Sequence, residues 1–272
     1  KKGFLKTSKS MMPSVTNVNN VSIVTGHYPK EHGISSNYRL VKETGEEIYM
    51  ESGDYINSET IFQRASALGQ KSILVTSKDK LRTLLTKGAN ITVSSENAPL
   101  EITKAVGEPP EIYSLEVNGW VIRAGTYLLG QGEPKIVYLT TTDYAMHTFP
   151  PDTPQSQSHM KILDDAIGDL LSQYPDVTLL LTADHGMSSK SRMVDIESEL
   201  KNYQISARAI PIIKDRYVVH HSNLGGCMFV YLEKPEESKK AVTILSSVSG
   251  VEKIYTKSEA VSQLHLYDER IG

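Results

Sequence analysis

Three short apolar runs constrain this chain more than any other feature: Ser72–Thr76 (Ser-Ile-Leu-Val-Thr), Lys135–Leu139 (Lys-Ile-Val-Tyr-Leu) and Val177–Thr182 (Val-Thr-Leu-Leu-Leu-Thr). Each is nearly continuous rather than alternating, which is the pattern of a strand covered on both faces. A helical stretch from about Ser58 to Leu68 precedes the first. Between the second and third, Ser158–Gln173 carries Met160, Ile162, Leu163, Ala166, Ile167, Leu170 and Leu171 at helical spacing. Buried strands alternating with amphipathic helices predict an α/β domain with a mostly parallel sheet flanked by helices.

After Ser188 the texture changes. Arg216–His221 and Cys227–Leu232 read as strands, Glu236–Val248 as a helix and Val251–Tyr255 as a further strand. This β-β-α-β order suggests a small α+β cap subdomain. The expected organisation is a core over 1–188, a cap over 189–266 and the start of a return to the core over 267–272.

Composition excludes some functions. A formal charge of -3 without a stripe of Lys or Arg argues against nucleic acid or an anionic membrane as partner. The single cysteine, Cys227, rules out a disulfide within the chain and a cysteine-rich zinc site. Its apolar neighbours make it a buried small residue rather than a reactive thiol. No apolar run approaches the length of a membrane span, and no leader is visible at Lys1-Lys2-Gly3-Phe4, so a cytoplasmic protein is expected.

Open parallel sheets bind ligands at the carboxyl ends of their strands. The second run leads into Asp143-Tyr144-Ala145-Met146-His147 and the third into Asp184-His185. Carboxylate and imidazole are the usual oxygen and nitrogen ligands of zinc and related ions. Either pair alone is better read as a helix cap and a surface histidine. Their recurrence after two strands at the same sheet edge points to metal. A third segment, Met12 to Gly26, places Thr16 before a helical stretch with Val18, Val21, Ile23 and Val24 as its apolar positions. Thr16 there reads as an N-cap, and the same helix end also suits a nucleophile facing an anion.

The string Met-Pro-Ser-Val-Thr-Asn-Val-Asn-Asn-Val-Ser-Ile-Val-Thr-Gly, followed by His32-Gly33-Ile34, resembles the nucleophile segment of the phosphonoacetate hydrolase family, in the alkaline phosphatase superfamily. Thr141–His147 and Thr182–Met187 resemble that family's two metal motifs, and Thr76–Arg82 its lysine-bearing substrate segment. Tyr217–His221 and Asp268–Gly272 also fit, so the resemblance runs in order over nearly the whole chain.

The resemblance implies two zinc ions in one cleft. Thr16, Asp184 and His185 would bind one, and Asp143 and His147 the other. Thr16 would be the nucleophile, Lys78 and Lys80 would contact the charged ends of a small phosphonate, and Asn37 would donate to a phosphonyl oxygen. Each family site has one further ligand, an upstream aspartate and a histidine beyond Arg-Ile-Gly, so the chain reads as cut at both ends. The implied reaction is hydrolysis of phosphonoacetate through a phosphothreonine, and a homodimer is compatible with it. Two alternatives stay open: a nucleotide pyrophosphatase or phosphodiesterase using the same ligands, and a non-catalytic anion-binding fragment. Of the other histidines, His27 and His159 read as surface or helix-side residues, and His32 as shaping the turn before Asn37.

Overall fold

The computed structural model describes residues 3–214 and 226–272. The strand expected at Arg216–His221, with His220 and His221, therefore lies outside the described residues. Among those described, the strands are β1 (Tyr38–Leu40), β2 (Glu47–Tyr49), β3 (Ser72–Thr76), β4 (Ile91–Ser94), β5 (Ile136–Thr140), β6 (Ala207–Pro211) and β7 (Met228–Leu232). They form three sheets, β1–β2, β4–β3–β5 and β6–β7. The chain falls into two compact units, one built from residues 3–50, 183–214 and 226–272 and the other from residues 51–182.

The second unit holds the parallel sheet, and the chain is a mixed α/β protein as its run pattern requires. β3 is buried at all five positions and pairs in parallel with β4 on one side and β5 on the other. Ile73, Val75 and Val93 pack against Trp120, Val121, Ala124 and Leu128 of the helix Val117–Leu129. A second layer joins Ile122 to Ala166 and Leu170 of the helix Pro154–Gln173. Gly125 permits the close approach of the first helix to the sheet, because a Cβ there would lie 2.4 Å from the Leu139 side chain. Burying side chains of this size contributes roughly 1.5–3 kcal/mol each.

Helix starts follow their caps. The helix expected from Ser58 begins at Ile61, where Thr60 and Gln63 form a capping box. The helix expected from Ser158 begins at Pro154, with the Thr153 hydroxyl accepting from Ser156 N–H. The third expected strand is a correction. Val177–Thr182 makes no ladder among the described residues, and Leu180 is 86 % exposed.

The first unit contains two antiparallel pairs and a helical layer. β1 pairs with β2, and β6 with β7. Ile212 O, just past β6, accepts from the N–H groups of Asn37 and Tyr38 and so joins the two pairs. Ile196, Leu200, Ile205, Ala241, Ile244 and Leu245 form this unit's apolar cluster. Of the expected β-β-α-β order, the first strand lies outside the described residues, and the second strand and the helix are present. β7 pairs with Ala207–Pro211, which sequence reading passed over, and the helix after it is Ser238–Ser246. Val251–Tyr255 forms no ladder among the described residues; Val251 N–H turns back to Val248 O, and Val251 and Ile254 pack onto the cluster.

Candidate active site

The site residues fall into two groups, one in each unit. In the first unit, Thr16 is the opening residue of the ten-residue helix Thr16–Thr25. The N-cap is Val15, with no side-chain cap, which corrects the reading of Thr16 as the capping residue. An uncapped first turn leaves N–H groups and the positive end of the helix dipole for an anion. Asn37 is buried and its Oδ1 accepts the Asn17 N–H at 3.1 Å, which orients the amide beside Thr16.

His185 Nε2 lies 3.4 Å from Thr16 Oγ1. Its Nδ1 sits 3.0 Å from Gly186 O, and a carbonyl can only accept, so Nδ1 carries the proton. In the neutral ring this leaves the Nε2 lone pair towards the threonine hydroxyl. Asp184 Oδ2 is 3.7 Å from the same Nε2. Asp184 is oriented through both oxygens: Oδ1 accepts from His185 N–H at 3.1 Å and Oδ2 from Asn20 Nδ2 at 3.2 Å. Asn20 also donates to Thr16 O at 3.0 Å, so one buried amide ties the helix turn of Thr16 to the carboxylate.

Sequence reading missed Asn20. The available signal was Asn17, Asn19 and Asn20 in an otherwise apolar helix, since buried amides need partners. The other two are structural: Asn17 Nδ2 donates to Met50 O at 2.6 Å, and Asn19 bridges Val15 O and Met11 N–H. His32 shapes the following turn, as expected. It is fully buried, accepts the Ile34 N–H on Nδ1 at 3.1 Å, and its Nε2 lies 2.8 Å from Ser22 Oγ. Burial holds its imidazole down at a pKa of about 3. Arg270 of the final motif donates to Gly33 O at 2.8 Å. Cys227 is half-buried, and burial raises its thiol to about 11, which fits a packing role.

In the second unit, register brings the functional segments together. Thr76 and Thr140 are paired at the carboxyl ends of β3 and β5, so the loops that follow run side by side. Lys78 Nζ accordingly reaches to 3.7 Å from Asp143 Oδ1. Burial lowers the Lys78 ammonium to about 8; the Asp143 charge opposes that shift and Lys80 adds to it. Lys80 is half-buried in the first turn of the helix Asp79–Leu85. Asp143 occupies the N-cap position of the helix Tyr144–Thr148 but makes no side-chain cap bond. Its Oδ2 instead lies 3.0 Å from His147 Nε2. His159, expected as a surface or helix-side residue, lies on the helix Pro154–Gln173 and is buried, with Nδ1 3.2 Å from Leu115 O.

Among the described residues no three His, Cys, Asp or Glu side chains gather as a metal site. The donors within each group still suit a divalent ion. Bonds of about 2.0–2.2 Å at a tetrahedral ion place neighbouring donor atoms roughly 3.3–3.6 Å apart. The Thr16–His185 spacing of 3.4 Å, the Asp184–His185 spacing of 3.7 Å and the Asp143–His147 spacing of 3.0 Å lie close to that range.

A family model described as type I phosphodiesterase / nucleotide pyrophosphatase matches residues 1–272. Two structures of phosphonoacetate hydrolase from Sinorhizobium meliloti 1021, in complex with phosphonoformate and with phosphonoacetate, share 35% identity with the chain and have TM-scores of 0.88. They cover 97% of this chain, which covers 69% of theirs. Murine ectonucleotide pyrophosphatase / phosphodiesterase 5 matches at 15% identity and a TM-score of 0.63, covering 97% of this chain and 67% of its own. That second likeness shows the fold.

Proposed function

The chain belongs to the type I phosphodiesterase / nucleotide pyrophosphatase family, and from that premise we propose that it hydrolyses the C–P bond of phosphonoacetate to acetate and phosphate. The family match itself makes the chain a hydrolase of the alkaline phosphatase superfamily. The observation that supports phosphonoacetate as substrate is the likeness, at 35% identity over 97% of this chain, to a hydrolase solved with phosphonoacetate bound.

Thr16 is the nucleophile. Its Oγ1 attacks phosphorus, the C–P bond breaks, and the departing carbon takes a proton to give acetate. Water then cleaves the O–P bond of the phosphothreonine, which releases phosphate and restores the hydroxyl. The remaining N–H groups of the first helical turn and the Asn37 Nδ2 group orient the phosphonyl oxygens. Lys78 and Lys80 hold the charged ends of the substrate.

Thr16, Asp184 and His185 would hold one divalent ion, and Asp143 and His147 a second, with zinc suited to both donor sets. Bound ions lower the pKa of a coordinated hydroxyl and stabilise developing negative charge, a contribution of several kcal/mol. Asn20 keeps Asp184 aimed, and the Nδ1 bond of His185 keeps its Nε2 lone pair forward.

The test is phosphate release from phosphonoacetate beside hydrolysis of a nitrophenyl nucleotide ester, with and without a chelator. Turnover of phosphonoacetate that is lost in Thr16→Ala and abolished by chelation supports the proposal. Turnover of the nucleotide ester alone would replace it with the phosphodiesterase reading, which the family description favours. Turnover of neither, with phosphate still bound, would leave an anion-binding protein.

A further inference from the structure

Asn118 has no place in the reaction described above, yet its side chain ends against the residue before Asp143. It lies in the helix Val117–Leu129 and is 1 % exposed. Its Oδ1 accepts the Thr142 N–H at 2.8 Å, and its Nδ2 donates to Thr142 O at 2.7 Å. One planar amide thus bonds both backbone groups of a single residue, as a partner residue does across a β-ladder. β5 ends at Thr140, so the side chain continues the ladder two residues past the strand and fixes the peptide from which Asp143 departs.

The clamp is itself held. His159, from the helix Pro154–Gln173, places Nδ1 3.2 Å from Leu115 O, so Nδ1 is protonated and Nε2 carries the lone pair. That Nε2 lies 3.5 Å from Asn118 Nδ2, which has a second amide proton besides the one given to Thr142 O. Thr142 Oγ1 is buried and makes no hydrogen bond among the described residues, so its own side chain does not order this segment. The backbone clamp does.

We infer that Asn118 is a positioning residue for Asp143, set in its turn by His159. The inference rests on the reading of Asp143 and His147 as a ligand pair. Supporting groups that orient a metal ligand typically change metal affinity or activity by about 10–100-fold. A purely structural amide between helix and strand end would change stability alone.

Asn118→Asp separates the two. It keeps the shape and still accepts the Thr142 N–H, but sets an acceptor against Thr142 O. Zinc is titrated calorimetrically into the full chain, with His147→Ala marking the site of the Asp143 pair. The inference expects Asn118→Asp to keep a wild-type circular dichroism spectrum and to weaken by about 10–100-fold the same zinc site that His147→Ala removes. The other site should keep its affinity. His159→Leu, the second variant should the first not fold, should weaken that same site less. Unchanged zinc affinity with only a lower melting temperature, or equal weakening of both sites, overturns the positioning role and leaves the ligand reading intact. Wild type and His147→Ala with identical zinc isotherms would overturn both together.

Discussion

Asn20 Nδ2 lies 3.2 Å from Asp184 Oδ2 and 3.0 Å from Thr16 O, so one side chain serves both the carboxylate and the helix turn that carries the nucleophile. Asn20→Ala should lower phosphonoacetate turnover by about 10–100-fold through a misdirected Asp184. It should also cost about 1–3 kcal/mol of stability, because a buried polar partner is lost. Asn20→Asp should be the worse variant, since it sets a second carboxylate against Asp184. Steady-state kinetics with urea unfolding would separate the two effects. Unchanged kinetics in Asn20→Ala would remove Asn20 from the site.

Thr16 carries the heaviest chemical demand. Thr16→Ala should reduce turnover by more than about 10³-fold, since removing a nucleophile removes the covalent route. Thr16→Ser keeps a hydroxyl at the same helix end and should retain measurable activity. Rapid quench followed by mass spectrometry should find a phosphate adduct on the peptide containing Thr16. An adduct on another residue would reassign the nucleophile.

Lys78 sits at 3.7 Å from Asp143 and loses most of its solvent contact. A charged hydrogen bond to substrate is worth about 1.5–3 kcal/mol. Lys78→Met should therefore raise KM for phosphonoacetate by about 10–100-fold, with a smaller effect on kcat. A variant with unchanged KM and reduced kcat would mean that Lys78 acts on the Asp143 group instead of on substrate binding.

His32 predicts a pH dependence of stability. It is buried and neutral, with a folded pKa of about 3 against an ordinary value of 6.5. Burial is the largest cause, and the His27 and Arg270 charges push the same way. Below pH 6.5 the unfolded chain binds the proton that the folded chain refuses, so stability falls as pH drops from 6.5 towards 3. The loss from this group is about 2 kcal/mol by pH 5. His32→Gln should lower stability near pH 7 while flattening the slope between pH 6.5 and 5. Thermal unfolding across that range checks it, and an equally steep slope in the variant would move the effect to other groups.

How much of this was legible in the sequence depends on what each feature needs. β3 was readable because a strand buried at every position needs an apolar centre, and Ile73-Leu74-Val75 supplies it. β5 was readable from its equally apolar Ile136-Val137-Tyr138-Leu139, although four of its five positions are only half-buried. Val177–Thr182 is as apolar and forms no ladder among the described residues. β6 was missed because Ala-Arg-Ala-Ile-Pro has little apolar bulk and ends in proline, although β7 supplies its whole register. Thr16, Asp143, His147, Asp184 and His185 stood out as local motifs. Asn20 and Asn118 did not, since their partners are distant in sequence and an asparagine in a helix looks the same whether it faces water or a carboxylate.

Gly125 tests the layer that carries the second group of site residues. A methyl group there would meet Leu139 Cδ2 at 2.4 Å, a distance that real contacts do not sustain. Alanine would add about 1 kcal/mol of helix propensity in an open position. Overpacking against the sheet should exceed that gain, at about 1–3 kcal/mol. Leu139 lies on β5 one residue before the strand ends, and the loop to Asp143 follows directly. Displacing Leu139 should therefore disturb the loop as well as the core. Gly125→Ala is expected to unfold at lower urea and to bind zinc less tightly at the Asp143 pair. Gly168→Ala, where no atom lies within 4 Å of the added carbon, should be neutral or mildly stabilising. A stabilised Gly125→Ala would mean that the helix moves off the sheet at little cost, and that the packing drawn here is looser than the geometry requires.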